Sequence, residues 1–305
     1  MELRTMAEGL RFPEGPIAMA DGTVLVCEIA RGTLTRVRPD GTTEVVADCG
    51  GGPNGAAVGP DGAVYVTNNG GCFEWIDLGS LLLPGPVPAT WAGGSIQRVD
   101  LSTGEVTTLF THCGDIPLRA PNDIVFDATG GFWFTDHGVR FDRSSDITGV
   151  FYARPDGSSI REVITGLDRP NGVGLSPDGA TLYVAETHTG RLWRWPVTAP
   201  GEVSVGLPIN GGGALHHAAE RSIMYDSLGV DGDGWVAVAR LQEGGITAVS
   251  PDGSHTEEID IDDPLVTNIC FGGDDLRTAW ITSSGTGRLL TGEWPRPGLA
   301  LPFGA

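Results

Sequence analysis

Six times along this chain an Asn, Asp or Glu stands directly before an apolar run, and an Asp or Thr follows seven residues later at a turn. The copies begin at Glu14 ("EGPIAMADGTVLVCE", Asp21), Asn54 ("NGAAVGPDGAVYVTN", Asp61) and Asn122 ("NDIVFDATGGFWFTD", Thr129). They continue at Asn171 ("NGVGLSPDGATLYVAE", Asp178), Asp226 ("DSLGVDGDGWVAVAR", Asp233) and Asn268 ("NICFGGDDLRTAWITS", Asp275). After each turn comes a second β-rich run, such as "TVLVCE" or "GFWFTD", and then a third opened by Gly, such as "GTLTRV" or "GVFYAR". Five units show a fourth run. The last lacks one, and an unassigned run, "ELRTMA", stands ahead of the first copy. Four strands per unit, with the N-terminal strand completing the last, predict an all-β chain: a six-bladed β-propeller over residues 1–305 as one domain. Closing the ring removes the sheet edges that would invite aggregation.

The rest of the sequence fits this reading. Gly (47) and Pro (21) are evenly spread, as frequent turns require. The net charge of −20 repels phosphate backbones and anionic lipid, so nucleic acid and membrane surfaces are poor candidates for partners, while a cation is favoured. The N-terminal "MELRTMAEGL" has no apolar core of a signal peptide, and no run of about 18 apolar residues occurs. Five scattered cysteines (Cys27, Cys49, Cys72, Cys113, Cys270) without a CxxC pair argue against a disulfide framework or thiolate zinc site and favour the cytoplasm.

In a propeller the first strand of each blade lines the central channel. Glu14, Asn54, Asn122, Asn171, Asp226 and Asn268 are therefore expected to ring one mouth of that channel. Two readings fit such a ring. It holds ordered water, or its carboxylates and amides offer hard oxygen ligands suited to calcium. With neither Cys nor His at the six positions, soft metals have little attraction.

At these residues the chain resembles the senescence marker protein/gluconolactonase family, which includes diisopropyl fluorophosphatase. The resemblance covers nearly the whole chain and rests on "PEGP" around Glu14, "PND" around Asn122, "RPNGVGLSPDG" around Asn171 and "DSLGVDGDG" around Asp226. It implies Glu14, Asn171 and Asp226 as ligands of a catalytic divalent cation, usually Ca2+ and otherwise Zn2+, Mn2+ or Mg2+. It implies Asn122 as a ligand or a substrate contact. Gly229 and Cys270 replace residues that hold a second calcium in the fluorophosphatase, Ser284 stands where that enzyme has a His, and "IA" follows "EGP" in place of an aromatic. No second ion is expected.

The implied activity is hydrolysis of small lactones or esters. The cation polarises the carbonyl and Asp226 acts as base or nucleophile. Arg119, Asn54 and Asn268 are expected substrate contacts. Alternatives are a phosphotriesterase-like hydrolase, a metal-assisted lyase or isomerase, and a non-catalytic binding propeller. Residues 70–94, an insertion with Phe73, Trp75 and Trp91, either cap the pocket or, as expected, pack elsewhere. His216 and His217 either reach a substrate or, as expected, lie in solvent. His137 and His188, following second strands, are expected on the face opposite the ring. Trp193 and Trp195 read as packing between blades.

Overall fold

The computed structural model describes residues 1–207 and 209–304. Each repeat folds into a four-stranded antiparallel sheet. Blade 1 comprises Pro13–Ala18, Val24–Glu28, Thr33–Val37 and Thr43–Asp48, from the axis outward. The innermost strands of blades 2 to 6 are Pro53–Val58, Pro121–Phe126, Pro170–Leu175, Met224–Val230 and Val266–Gly272. These strands stand side by side around the channel. In blade 6 the fourth strand is Leu3–Ala7, paired antiparallel with Arg288–Glu293, so the expected closure is present. Blade 4 is the irregular one: its third strand, Arg191–Ala199, pairs first with Ala214–Ala218 and farther along with the two-residue strand Glu202–Val203.

The turn between first and second strands explains the recurring Asp-Gly. The Asp21 carboxylate accepts from the Thr23 N–H at 3.0 Å, and Asp178 does the same for Ala180 at 3.0 Å. The Gly that follows, Gly22 or Gly179, takes a left-handed conformation with positive φ. In the last copy Leu276 occupies this place, also at positive φ, a conformation that only glycine adopts without cost.

Apolar side chains fill the spaces between adjacent blades. Trp193 and Trp195 lie in one such cluster with Trp133, Tyr152 and Val173, joining blades 3 and 4 as expected. Hydroxyls on the second strands add polar links between neighbours. Thr67 donates to the Asn122 carbonyl at 2.5 Å, and Thr135 to the Asn171 carbonyl at 2.5 Å, each bonding the next blade's innermost strand.

Two features position the channel residues. Proline opens four of the innermost strands, at Pro13, Pro53, Pro121 and Pro170, where its missing N–H breaks no ladder bond. In addition, all six innermost strands carry a register irregularity beside the ring position, for example between Pro121 and Ile124 and between Tyr225 and Leu228. Such a bulge breaks the strict alternation of side chains and re-aims those within it.

Candidate functional site

The six ring residues come together where the innermost strands begin, and all are buried: Glu14 is 2% exposed, Asn54 6%, Asn122 7%, Asn171 3%, Asp226 8% and Asn268 4%. Four of them form two linked pairs. Glu14 Oε2 accepts from Asn268 Nδ2 at 2.8 Å and from the Gly15 N–H at 2.6 Å. Asn171 Nδ2 donates to Asp226 Oδ1 and to Thr187 Oγ1, and Asn171 Oδ1 accepts from Ser227 Oγ at 3.1 Å.

The bulges bring in a residue that the repeat pattern conceals. Asp123 follows Asn122, and strict alternation would turn it away from the axis. Instead it is buried against the neighbouring innermost strand. Its carboxylate accepts from its own blade's Ile124 N–H at 2.9 Å and from Val173 N–H of blade 4 at 3.2 Å. Burial pushes its carboxyl up to about 8, with the Glu14 charge adding to the effect. Burial likewise raises Glu14 to about 7, although hydrogen bonds from Asn268, Gly15 and Thr267 act against it. Asp226 is raised by burial first and then by Glu14, with Asp123 contributing. Three carboxyl groups thus share one dry region and cannot all be ionised cheaply without a cation.

The donor set suits a hard cation. Asn54 Oδ1 and Asn122 Oδ1 are buried and lack any hydrogen-bond partner, an expensive arrangement for carbonyl oxygens. Among the described residues no three His, Cys, Asp or Glu side chains converge as a ligand cluster of their own. Any cation shell therefore needs these amide oxygens beside the carboxylates, an all-oxygen set of the kind calcium takes. Asn171 differs from the other two: its oxygen is already engaged by Ser227.

Around the ring, several placements depart from the sequence-based expectations. Pro121 pairs with Asp136 and Pro170 with Glu186, so the ends of the second strands return to the face where the first strands begin. His137 follows one end directly and His188 the other after Thr187, so both lie on the ring's own face, not opposite it. His137 is buried, its N–H bonded to the Ala120 carbonyl at 2.9 Å, and burial with help from nearby Arg169 lowers its ring to about 3.

The insertion also lies on the ring face rather than elsewhere. Its hairpin, Trp75–Asp77 with Leu82–Pro84, reaches Phe12 of blade 1 (ring centroids 5.0 Å to Trp75) and blade 6, where Leu82 N–H meets the Gly285 carbonyl at 2.8 Å. Its far arm packs Phe73, Val87 and Trp91 on Cys72, Ala120 and Val139. Apolar burial explains the difference, since these rings find cover only against loops of the ring face. His216 and His217 are not in solvent. They lie on strand Ala214–Ala218 at the outside of blade 4, His216 buried against Tyr183 and His217 half-buried against Tyr225.

Arg119 is held by two partners, Asp146 at 2.8 Å and the Trp91 ring at 4.5 Å. Asp136 supports the loop ahead of Asn122, accepting from the N–H groups of Arg119, Ala120 and Gly138 at 2.6, 2.7 and 3.0 Å. The other end of the channel opens as a cavity of about 990 Å³, with Gly15, Asp123 and Asn268 at its inner end and Leu299–Gly304 along its wall.

Comparison with known proteins agrees with this architecture. Residues 12–285 match the family model described as the SMP-30/Gluconolactonase/LRE-like region. The gluconolactonase of Zymomonas mobilis is 25% identical over 307 residues, covering 92% of this chain and 79% of that protein. The lactonase drp35 of Staphylococcus saprophyticus is 30% identical over 259 residues, covering 84% of this chain and 72% of its own. Among solved structures, a gluconolactonase from Xanthomonas campestris superposes with a TM-score of 0.75 at 22% identity, over 96% of this chain and 89% of that one. A calcium-binding regucalcin from Agrobacterium tumefaciens gives 0.77 at 19%, over 100% and 97%. With the family model spanning nearly all of the propeller, this chain belongs to the SMP-30/gluconolactonase/LRE-like family.

Proposed function

We propose that the protein is a lactone-hydrolysing enzyme that works with one divalent cation, calcium by preference, at the ring. The observation that carries this reading is the burial of three carboxyls whose charges act on one another, Glu14, Asp123 and Asp226, together with two buried amide oxygens that have no partner, those of Asn54 and Asn122 on adjoining innermost strands. Glu14, Asn122, Asn171 and Asp226 are the residues assigned to hold the ion. Zn2+, Mn2+ and Mg2+ are the alternatives to calcium. When bound, such an ion supplies Lewis-acid polarisation of a carbonyl oxygen.

The chain's own residues supply the proton chemistry. Asp226 is assigned as the base that takes a proton from the attacking water. Burial raises its carboxyl in the metal-free protein, and a cation held beside it would favour the ionised form that a general base needs. Asn171 orients it through the amide hydrogen bond to Oδ1. Asn268 holds Glu14 in place, and Asn54 faces the same region with a free oxygen for a ligand or a substrate hydroxyl. Lactone opening then yields a hydroxy acid, the water's oxygen forming the new carboxylate. Five free thiols and no disulfide among the described residues suit a reducing compartment, and we assign the protein to the cytoplasm on that basis.

A panel of γ- and δ-lactones, assayed with and without chelator, tests the proposal. Hydrolysis that chelation abolishes and calcium restores is expected. Full activity in metal-stripped protein overturns the cation, and inertness towards every lactone overturns the activity.

A further inference from the structure

On the ring face one half-buried arginine carries a guanidinium nitrogen that no protein acceptor satisfies. Arg169 directly precedes Pro170 and Asn171. Its backbone is left-handed, with positive φ, a conformation that strains a non-glycine residue and tends to occur at ligand clamps. The Thr187 N–H holds the Arg169 carbonyl at 3.1 Å and fixes this shape. The guanidinium Nε is buried and has no hydrogen-bond partner. None of the ion pairs among the described residues includes Arg169: the nearby Asp146 already serves Arg119 and the Val139 N–H, and the adjacent Asp168 acts on it only at a distance, alongside a second cation, Arg140.

A second unpaired donor lies on the same face. Asn69 is 2% exposed, and its orientation is fixed because Oδ1 accepts from Gly71 N–H at 2.9 Å and Cys72 N–H at 3.2 Å. This leaves the buried Nδ2 with no acceptor. Arg169 is close enough to Cys72, His137 and His188 that its charge acts on all three, so the donors flank a common region above blades 2 to 4. Leaving two such donors unpaired is costly unless a ligand's oxygens complete them.

We propose that Arg169, with Asn69, forms a subsite for an anionic substituent of the substrate, so that the lactone accepted here carries a carboxylate outside the ring that is opened. This rests on the lactonase reading above. A carboxylate fits better than a phosphate. His137 is neutral near physiological pH, and Asp168 offsets part of the charge of Arg169 and its neighbour Arg140, so the region offers about one net positive charge, while a phosphate monoester brings about −1.5 to −2.

The test compares γ-butyrolactone with 5-oxotetrahydrofuran-2-carboxylate, the same ring bearing a carboxylate, in calcium-loaded protein. The parent is expected to prefer the carboxylated ring by tenfold or more in kcat/KM. Arg169→Gln is expected to lose that preference through a KM raised about 10- to 100-fold, the range for a lost charged hydrogen bond. Arg169→Lys is expected to keep part of it, which separates charge from folding. A preference unchanged in Arg169→Gln, an equal loss on both lactones, or a tenfold greater preference for a phosphorylated lactone overturns the subsite as stated. If the parent opens neither ring, the lactonase reading fails for this class, and binding of 2-hydroxyglutarate, the ring-opened product, decides the subsite alone. Calorimetric binding to the parent that Arg169→Gln loses upholds it, and no difference between the two overturns it.

Discussion

Asn268 of the last blade donates to Glu14 of the first at 2.8 Å, although 254 residues separate them in the chain. The ring is therefore closed twice, at its outer edge by Leu3–Ala7 and at the axis by this bond. The same carboxylate that closes the axis is a proposed cation ligand. Closure of the fold and assembly of the site are one event.

Asp226→Asn should leave the fold intact and remove the proposed base. At saturating calcium the expected loss in kcat is about 10²- to 10⁴-fold, or roughly 3 to 5 kcal/mol. Asn54→Ala and Asn268→Ala should cost less. Steady-state kinetics across a calcium titration separates loss of the base from loss of the ion, since only the latter is rescued by added metal. Near-parental turnover in metal-saturated Asp226→Asn would assign the proton step elsewhere.

The metal-free protein should become less stable as pH rises through neutrality. Glu14 is raised from 4.5 to about 7 and Asp123 from 3.8 to about 8, so the folded state holds protons that the unfolded chain has released. Their contribution is fully present below about pH 4 and is lost as pH climbs through the folded values. Thermal melts from pH 5 to 9 with chelator should show a falling Tm, and calcium should flatten the slope by neutralising the ionised carboxylates. Glu14→Gln should weaken the pH dependence. A metal-free melt that is flat across this range would contradict the shared burial of these groups.

Deleting residues 1–7 should expose the edge of Arg288–Glu293 and uncover the cluster that Met6 and Ala7 complete with Trp280 and Leu289. Aggregation or a large fall in Tm is expected, read by size-exclusion chromatography and calorimetry. A truncated protein that melts like the parent would show that the strand contributes little to closure.

Gly55→Ala tests how closely the innermost strands approach. A Cβ at this position would lie 2.5 Å from the Asn122 carbonyl oxygen and 2.7 Å from Asp123 Cα, both backbone atoms that yield only if the blades part. A cost of about 2 to 4 kcal/mol is expected, seen as a Tm lower by about 5 to 10 °C. Activity should fall more than stability alone explains, because the displaced residues belong to the ring. An unchanged Tm would mean that the strands have slack at this point.

The blades and the six ring residues are legible in the sequence because both recur at a fixed place in each unit. Asp123 is not, because period-2 reasoning assigns it to the far side of the strand and only the bulge at Pro121–Ile124 turns it inward. Strand direction read alone puts His137 and His188 on the wrong face, whereas the antiparallel pairing of Pro121 with Asp136 and Pro170 with Glu186 returns the chain to its starting side. Arg169 carries no signal beyond standing before "PNG", since an unpaired guanidinium is a property of its neighbours and not of its sequence. The course of residues 70–94 depends on contacts with Phe12 and Gly285, which are distant in the chain.

The recurring bulge also bears on how such a site changes over time. In a regular strand, a new inward-facing group requires either a slip in register, which turns every side chain over, or replacement of the one residue already in use. In two blades the bulge makes two adjacent codons available to the channel: Asn122 and Asp123 in one, Asp226 and Ser227 in another. One of the pair can retain its ligand while the other is rewritten, whereas Gly15, Gly55 and Gly172 are closed to such change, because a Cβ there would meet the next strand's backbone at 2.4, 2.5 and 2.6 Å.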